Sequence, residues 1–280
     1  MIKRSGILKD SFIVTELPIG STHPQEDYAI IDDQYPIFVV ADGVTLDAAA
    51  GESYHKDSGA AQAARVFCES ALIAGRASYD KLDKDGLRTI FHIANAAVGA
   101  YNNSRGRNKN TSDYGSFDLF SATAAFAAIQ DDTLHWFSLC DSYVFVLNAG
   151  SVRMASPDPW KQMHEVWKKL KKLDQLERKT IIRRDYRNGI GKYSGYGVAT
   201  GEVESELYLE EGTFKLKHGD VVVLCTDGFE HYFRLPEFIS LLTRWPRSIQ
   251  KDVRTFSKQM GKDVPEKFGA ERTLLAILPY

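Results

Sequence analysis

Hydrophobic positions along this chain recur with two different periods. Short apolar runs rich in β-branched and aromatic residues, bounded by Gly, Pro, Asp and Asn, predict strands. They are Phe12–Leu17, Tyr28–Ile31, Ile37–Ala41, Leu119–Ile129, Thr133–Leu139, Tyr143–Leu147, Ser151–Met154, Phe214–Leu216, Val221–Cys225 and Leu274–Leu278. Between Ser58 and Asn102 the period lengthens. Ala60, Ala61, Ala64, Phe67, Cys68, Ala71 and Leu72 repeat every three or four residues, and so do Leu87, Ile90, Phe91, Ala94, Ala97 and Val98. That spacing predicts two helices, each with one apolar face. The alanines on those faces permit close approach to a flat partner such as a sheet. Leu235–Leu242 and Ile249–Met260, separated by Pro246, read as further helices, and Val44–His55 and Arg105–Ser116 as polar loops. Two blocks of strands, each accompanied by helices, predict one domain with sheets inside and helices outside.

One segment departs from this pattern. Lys161–Lys192 holds eleven Lys and Arg against four Asp and Glu, a local charge of +7 in a chain of net charge -2. Met163, Val166, Trp167, Leu170 and Leu173 have helical spacing, so the segment reads as one amphipathic helix with a polar continuation. A solvated helix whose lysines cover a surface accounts for it. The five glycines in Gly189–Gly201 miss the Gly-x-Gly-x-x-Gly spacing of a dinucleotide site, and the residues beyond Gly201 are acidic and β-like.

Composition narrows the function classes. A chain of 280 residues, 44% hydrophobic and 26% charged, fits a globular protein with a sizeable core. The small net charge gives no reason to expect nucleic acid or an anionic membrane as a partner. No stretch approaches the roughly 20 apolar residues that span a bilayer. Cys68, Cys140 and Cys225 sit among apolar residues without metal-ligand spacing, which points to buried thiols in a reducing, cytoplasmic setting.

The candidate chemistry is acidic. Ile37–Gly43 runs Ile-Phe-Val-Val-Ala-Asp-Gly, and Val221–Gly228 runs Val-Val-Val-Leu-Cys-Thr-Asp-Gly. Each delivers an Asp-Gly at the end of an apolar strand. Asp-Gly is also a common turn former, and two surface turns would satisfy either pair alone. Taken together with the nearby Glu26-Asp27, the two pairs suggest one anionic site assembled from distant sequence. A Mg²⁺ or Mn²⁺ site needs hard oxygen ligands of this kind. The candidates are Glu26 or Asp27, Asp42, Asp141, Asp227 and a C-terminal acid such as Glu271. The seven histidines show no zinc spacing, and Gly-x-Ser-x-Gly, Walker and kinase signatures are absent.

The same segments resemble the metal-dependent serine/threonine phosphatases of type 2C, in their bacterial form. Glu26-Asp27 resembles the family's Asn-Glu-Asp motif, and Ile37–Gly43 its Val-x-Asp-Gly strand end. Ser121-Ala122-Thr123-Ala124 is similar to Gly-Ser-Thr-Ala, Cys140-Asp141-Ser142 to Gly-Asp-Ser, and Cys225–Phe229 to the Ser-Asp-Gly motif; Thr273–Leu278 resembles the final strand. The matches keep the family order across nearly all of the chain. The resemblance implies an α+β fold in four layers, two central antiparallel sheets flanked by helices on both sides. It implies one domain over residues 1–280 with a basic flap-like insertion at about 158–196. It also implies two divalent ions, Mg or Mn, with a possible third, which activate a water for attack on phosphoserine or phosphothreonine in a phosphoprotein substrate. Carried over residue by residue, Asp42 bridges both ions, the Gly43 carbonyl and Glu26 hold one, Asp227 holds the other, and Asp141 lies near the third. Asp42 and Asp227 are the catalytic pair in this assignment.

Four departures stand out. Thr22 occupies the position of the family's phosphate-binding arginine, for which Arg4 and His23 are the substitutes within the sequence. Ala270 replaces the last metal-ligating aspartate, leaving Glu271 next door as its candidate replacement. His231 replaces a third-metal aspartate, and Cys140 stands where the family has glycine. These departures keep two alternatives open: a phosphatase-like binding module with little or no turnover, and a phosphohydrolase acting on a small molecule.

Overall fold

The computed structural model describes residues 8–18, 20–21, 24–45, 58–115, 117–157, 160–189 and 195–279. Among them, ten strands form two five-stranded antiparallel sheets. One runs in the order β1 (Asp10–Glu16), β10 (Arg272–Leu278), β9 (Val221–Cys225), β6 (Tyr143–Asn148), β7 (Ser151–Ala155). The other runs β2 (Tyr28–Ile31), β3 (Ile37–Gly43), β4 (Ala122–Gln130), β5 (Thr133–Leu139), β8 (Leu209–Lys215). Helices α1 (Gly59–Ala77) and α2 (Lys84–Ser104) cover the outer face of the β3 sheet. Helices α5 (Pro236–Arg244) and α6 (Ile249–Asp263), with the short α7 (Pro265–Phe268), cover the β9 sheet. The four-layer arrangement that the resemblance implies is the one observed. No helix among the described residues is long and apolar enough to cross a membrane.

Period two sorts every central strand into two cores. On β3, Ile37, Val39 and Ala41 meet the helices, while Phe38 and Val40 meet the opposite sheet. On β9, Val221, Val223 and Cys225 face their helices, and Val222 and Leu224 face inward. Strand β4, Ala-Thr-Ala-Ala-Phe-Ala-Ala-Ile-Gln, is buried on both faces almost to its end, because helix α1 lies on one side and a sheet on the other. Its small residues make room for aromatic packing elsewhere: Phe126 stacks on Phe137 at 5.0 Å, and Phe137 meets Phe67 and Phe91 edge-on.

Alternation also decides what lies at the end of the inter-sheet core. Continuing past Val40, the inward position of β3 is Asp42, whose register partner on β4 is Thr123. Past Leu224, the inward position is Thr226. The Thr123 hydroxyl hydrogen-bonds to that of Ser142, just before β6, at 2.8 Å, which ties one sheet to the other. The apolar sandwich therefore ends in a layer of hydroxyls and carboxylates.

Four elements differ from the sequence expectation. The strand expected to start at Leu119 starts at Ala122, because the backbone N–H and C=O of Phe120 are both taken by the side-chain amide of Asn102 on α2. Strand β8 begins at Leu209 instead of Phe214. Its polar Glu-Glu-Gly segment is an edge strand fastened to α2, where Arg88 holds Glu211 at 2.8 Å and Glu206 at 2.8 Å. The single amphipathic helix expected in Lys161–Lys192 is two helices, α3 (Trp160–Leu170) and α4 (Gln175–Asp185). The break comes at Asp174, whose carboxylate caps α4 by accepting from the Glu177 N–H at 2.9 Å. The Asp42-Gly43 pair, open to a turn reading, remains inside β3. Most of the loop expected at Val44–His55 lies outside the described residues.

Truncating Phe137 to Ala removes the ring that joins β4 to α1 and α2. The expected cost is about 3–5 kcal/mol, read as a lowered urea midpoint with an unchanged slope.

Candidate active site

Two glycines place the two aspartates. The N–H of Gly43 donates to the Glu26 carbonyl at 3.2 Å. A Cβ at Gly43 would lie 2.9 Å from that oxygen and 2.5 Å from the Ala60 carbonyl oxygen. At Gly228 a Cβ would lie 2.0 Å from the Glu271 carbonyl oxygen and 2.6 Å from Arg272 Cβ. Each glycine thus lets the backbone beside an aspartate touch the backbone of another acid. Asp42 is brought to Glu26-Asp27, and Asp227, at the start of the 3-10 turn Asp227–Arg234, is brought to Glu271.

Thr226 closes the arrangement. Its hydroxyl donates to Asp27 Oδ2 at 3.0 Å and accepts from the Thr273 N–H at 2.9 Å. Glu271 Oε1 accepts from the Gln25 side-chain amide and from the N–H groups of Glu26 at 2.6 Å and Asp27 at 2.8 Å. This carboxylate therefore holds the loop that carries the first acidic pair. Glu26 is buried and accepts from the Thr45 hydroxyl.

The result is a group of carboxylates that repel one another. Burial, then the charges of Asp27, Asp227, Asp141 and Glu271, hold the Asp42 carboxyl well above the usual range. Burial and then Glu271 do the same for Asp27. Asp227 is exposed to the cleft; burial on its other sides comes first, and the charge of Asp141 second, in raising it to about 7. Among the described residues no lysine or arginine forms an ion pair with Asp42 or Asp227. Asp27 Oδ1 is buried and has no hydrogen-bond partner. Buried like charges with an orphaned carboxylate oxygen call for a cation, and hard oxygens suit Mg²⁺ or Mn²⁺. As the side chains stand, no three His, Cys, Asp or Glu among the described residues lie close enough to grip a single ion. The acids share an electrostatic field.

Asp42, Gly43, Asp141 and Asp227 line one cleft of about 280 Å³. Asp141 is carried by the turn between β5 and β6, where Cys140 has a left-handed φ of 59°. That conformation is the physical reason a glycine suits position 140. Helix α4 supplies the facing wall of the cleft with Lys179, Ile182 and Arg183, and α3 adds Trp167. On the other side of Asp227, His231 and Glu230 line a second cavity of about 260 Å³ together with Ala270.

The structure brings Asp42, Gly43, Asp141 and Asp227 together at one cleft and sets Glu271 beneath them as a brace. Of the pair Glu26 or Asp27, it is Asp27 whose charge reaches Asp42 and Asp227. Thr22, Arg4 and His23 lie outside the described residues. The resemblance implies a basic flap at about 158–196; that its second helix, α4, walls the cleft is absent from the sequence expectation, although the charge run and the Asp174–Glu177 capping pattern are there to mark it.

Comparison with known proteins agrees with this geometry. Residues 19–262 match the family model of protein phosphatase 2C. The fold is similar to that of the Mycobacterium tuberculosis serine/threonine phosphatase PstP/Ppp, at 14% identity and a TM-score of 0.59 over 97% of this chain and 99% of that one. It is similar also to PppA, a regulatory component of T6SS in Pseudomonas aeruginosa, at 16% identity and a TM-score of 0.61 over 97% of each chain. A further similar structure is the PstP catalytic domain in complex with two manganese ions, at 13% identity and a TM-score of 0.59 over 96% of each chain. At these identities the likeness is one of fold. No curated protein sequence matches the chain.

Two outcomes are expected from the crowded acids. A carboxyl whose folded-state pKa is raised favours the folded state while protonated, and that contribution is lost as pH climbs from the ordinary carboxylate value through the raised one. For Asp227 the window runs from 3.8 to about 7. The metal-free protein is therefore expected to melt at a lower temperature at about pH 8 than at about pH 5, and Mn²⁺ to raise the melting temperature more at the higher pH. Gly228→Ala, with its Cβ driven against Glu271, is expected to cost about 1–3 kcal/mol and to weaken Mn²⁺ binding measured by calorimetry.

Proposed function

The chain belongs to the protein phosphatase 2C family, and from that membership we propose that it hydrolyses phosphoserine and phosphothreonine monoesters of proteins, using two divalent cations, Mg²⁺ or Mn²⁺. The observation that carries the reading is the convergence of the two Asp-Gly pairs, one from each sheet, on a single cleft. Like-charged Asp27, Asp141 and Glu271 stand around them. We read residues 1–280 as one phosphatase-like unit, with 158–196 as a flap beside the cleft. Free, buried Cys68, Cys140 and Cys225 support a reducing, cytoplasmic setting.

In this reading Asp42 and Asp227 are the central ligands, with the Gly43 carbonyl beside Asp42. Asp27 and Glu26 come from the loop that Glu271 braces, and Asp141 and His231 flank a weaker third position. Bound there, divalent ions would lower the pKa of a water and neutralise phosphoryl oxygens. The chain's own part is to hold the acids on rigid strand ends within a walled cleft. Thr226 and Thr273 fix Asp27 through one hydroxyl. The Thr123–Ser142 bond fixes the two sheets at the level of Asp42. No side chain in the arrangement needs to act as nucleophile, so the phosphoryl group passes directly to water.

A second reading has its own support. Ala270 removes one acid, and Glu271 Oε1 already accepts three hydrogen bonds. Such a site suits a phosphatase-like module that binds without turnover. Two tight Mn²⁺ sites with no phosphate release from varied phosphopeptides would establish that module.

Phosphate release from phosphothreonine and phosphoserine peptides is expected to require Mn²⁺ or Mg²⁺. Asp42→Asn and Asp227→Asn are each expected to lower kcat/KM by more than about a hundredfold, above the range typical of outer-shell partners. Activity unchanged in both variants would remove the assignment.

A further inference from the structure

We propose that Arg183, on the flap helix α4, is a positioning residue for Glu26: it acts through Thr45 and links the seating of the flap to the grip on a divalent cation. The inference takes from the reading above only that Glu26 is a metal ligand. The chain leaving β3 passes directly from Asp42 and Gly43 to Val44 and Thr45. That stretch holds Glu26 twice. The Glu26 carbonyl accepts from the Gly43 N–H at 3.2 Å, and its carboxylate Oε2 accepts from the Thr45 hydroxyl. A hydroxyl on one oxygen sets the rotation of a carboxylate, and outer-shell partners of this kind tune metal ligands. Thr45 therefore needs a fixed backbone. On one side the Val44 N–H donates to the Ser121 carbonyl at 2.9 Å. On the other, the Thr45 carbonyl accepts from Arg183 Nη2 at 3.1 Å, a charge-assisted bond from α4.

Arg183 is more than the flap needs in order to be seated. Met163 of α3 and Ile182 of α4 pack into an apolar cluster with Cys140, Tyr196 and Val198. Arg187 grips the buried Asp118 through both of its terminal nitrogens. Arg183 is buried all the same, and brings a second guanidinium to a carboxylate already taken: its Nε lies 3.8 Å from Asp118. Burying a charge that is only partly balanced is costly, and an apolar residue joining the cluster would avoid that cost. What the guanidinium adds is a rigid fork. Nη1 donates to the Gly115 carbonyl at 3.1 Å while Nη2 reaches Thr45, so two separate stretches of chain are fastened to α4 at once. The path from flap to site runs from Arg183 to the Thr45 carbonyl, and from the Thr45 hydroxyl to Glu26.

The test uses the full chain as wild type, Arg183→Gln, Arg183→Lys, Thr45→Val, and the double variants that combine Thr45→Val with each arginine change. Thr45→Val keeps the carbonyl that Arg183 holds and removes only the hydroxyl that holds Glu26. Calorimetric titration with Mn²⁺ is expected to show about tenfold weaker binding in each single variant, the size usual for an outer-shell partner. The double variants should bind no more weakly than Thr45→Val alone, because both changes break one path. Charge alone predicts the opposite sign for Arg183→Gln, since removing a cation from the cleft wall favours a divalent ion. Arg183→Lys keeps the charge and loses the fork, and it carries the test if Gln at this buried position does not fold. By reciprocity, Mn²⁺ should slow hydrogen exchange of the α4 amides in wild type and not in Thr45→Val. Mn²⁺ binding in Arg183→Lys equal to or tighter than wild type overturns the inference. Additive losses in the double variants, or undiminished protection of α4 in Thr45→Val, overturn it equally. None of these readouts needs turnover. A wild type that releases no phosphate, yet couples Arg183 to Mn²⁺ through Thr45, would remove the phosphatase reading and keep the link from the flap to Glu26.

Discussion

Electrostatic repulsion among carboxylates at one end of the inter-sheet core is the constraint on which the rest of this structure depends. Asp27, Asp42, Asp141, Asp227 and Glu271 arrive from five separate stretches of chain, and nothing about their own interaction favours the meeting. The apolar sandwich forces it. Phe38 and Val40 on β3 pack against Val222 and Leu224 on β9, and burial of such side chains is worth roughly 1.5–3 kcal/mol each. Once those rows are matched, the next inward positions are Asp42 on β3 and Thr226 on β9, and Asp227 follows Thr226 directly, so the acids come to one end of the core whether or not they attract. The site is a place where a hydrophobic register imposes an unfavourable polar contact, and a divalent cation is the natural relief for it.

The tolerance for this strain is built from small contacts. Gly43 and Gly228 allow backbone approaches that any Cβ would block. Thr226 satisfies Asp27 on one oxygen and leaves the other without a partner. Glu271 is turned toward backbone N–H groups, so part of its charge is already hydrogen-bonded. Away from the cleft the same acid chemistry is handled differently: burial alone would raise Asp118, but the Arg187 guanidinium outweighs it and holds the carboxyl below its ordinary value. The contrast between Asp118, which has an arginine, and Asp42 and Asp227, which pair with no lysine or arginine among the described residues, separates a structural carboxylate from those kept for a ligand.

Much of the fold is legible in the sequence because period two and period 3.6 are strong where both faces of an element are packed. Helices α1 and α2, strands β3 and β9 and helix α6 come straight from Phe67, Ile90, Val39, Val223 and Val253 and their neighbours. Strand β8 is hidden because its outer residues answer to Arg88 on α2 and not to a core. The true start of β4 is hidden because Asn102 captures the backbone at Phe120. In the site, the two Asp-Gly pairs are readable as strand ends, whereas adjacent Glu26 and Asp27 are not told apart by pattern. What pattern alone does not carry is orientation: the role of Glu271 depends on which way a loop turns, and the wall formed by α4 depends on a cap at Asp174 that resets the helix axis.

The charge distribution along the chain acquires a spatial meaning from this arrangement. The stretch with the greatest excess of Lys and Arg folds into the two helices that stand across the cleft from the acids. Met163 and Ile182 anchor them through a small apolar cluster with Cys140, Tyr196 and Val198. Cys140 belongs to both sides of that arrangement. Its backbone takes the left-handed conformation that aims Asp141, at roughly 1–2 kcal/mol relative to glycine. Its buried side chain packs with Met163 of α3 and Ile182 of α4. The residue thus exchanges conformational ease in the acidic turn for a contact that seats the basic helices. Lys168, Lys169, Lys171 and Lys172 remain outside, exposed around the junction of α3 and α4. A cleft with one sign of charge on its floor and the other along its rim attracts an anionic ligand from a distance and then presents it with cation-binding oxygens at contact. That sequence of forces suits a phosphorylated protein better than a neutral one.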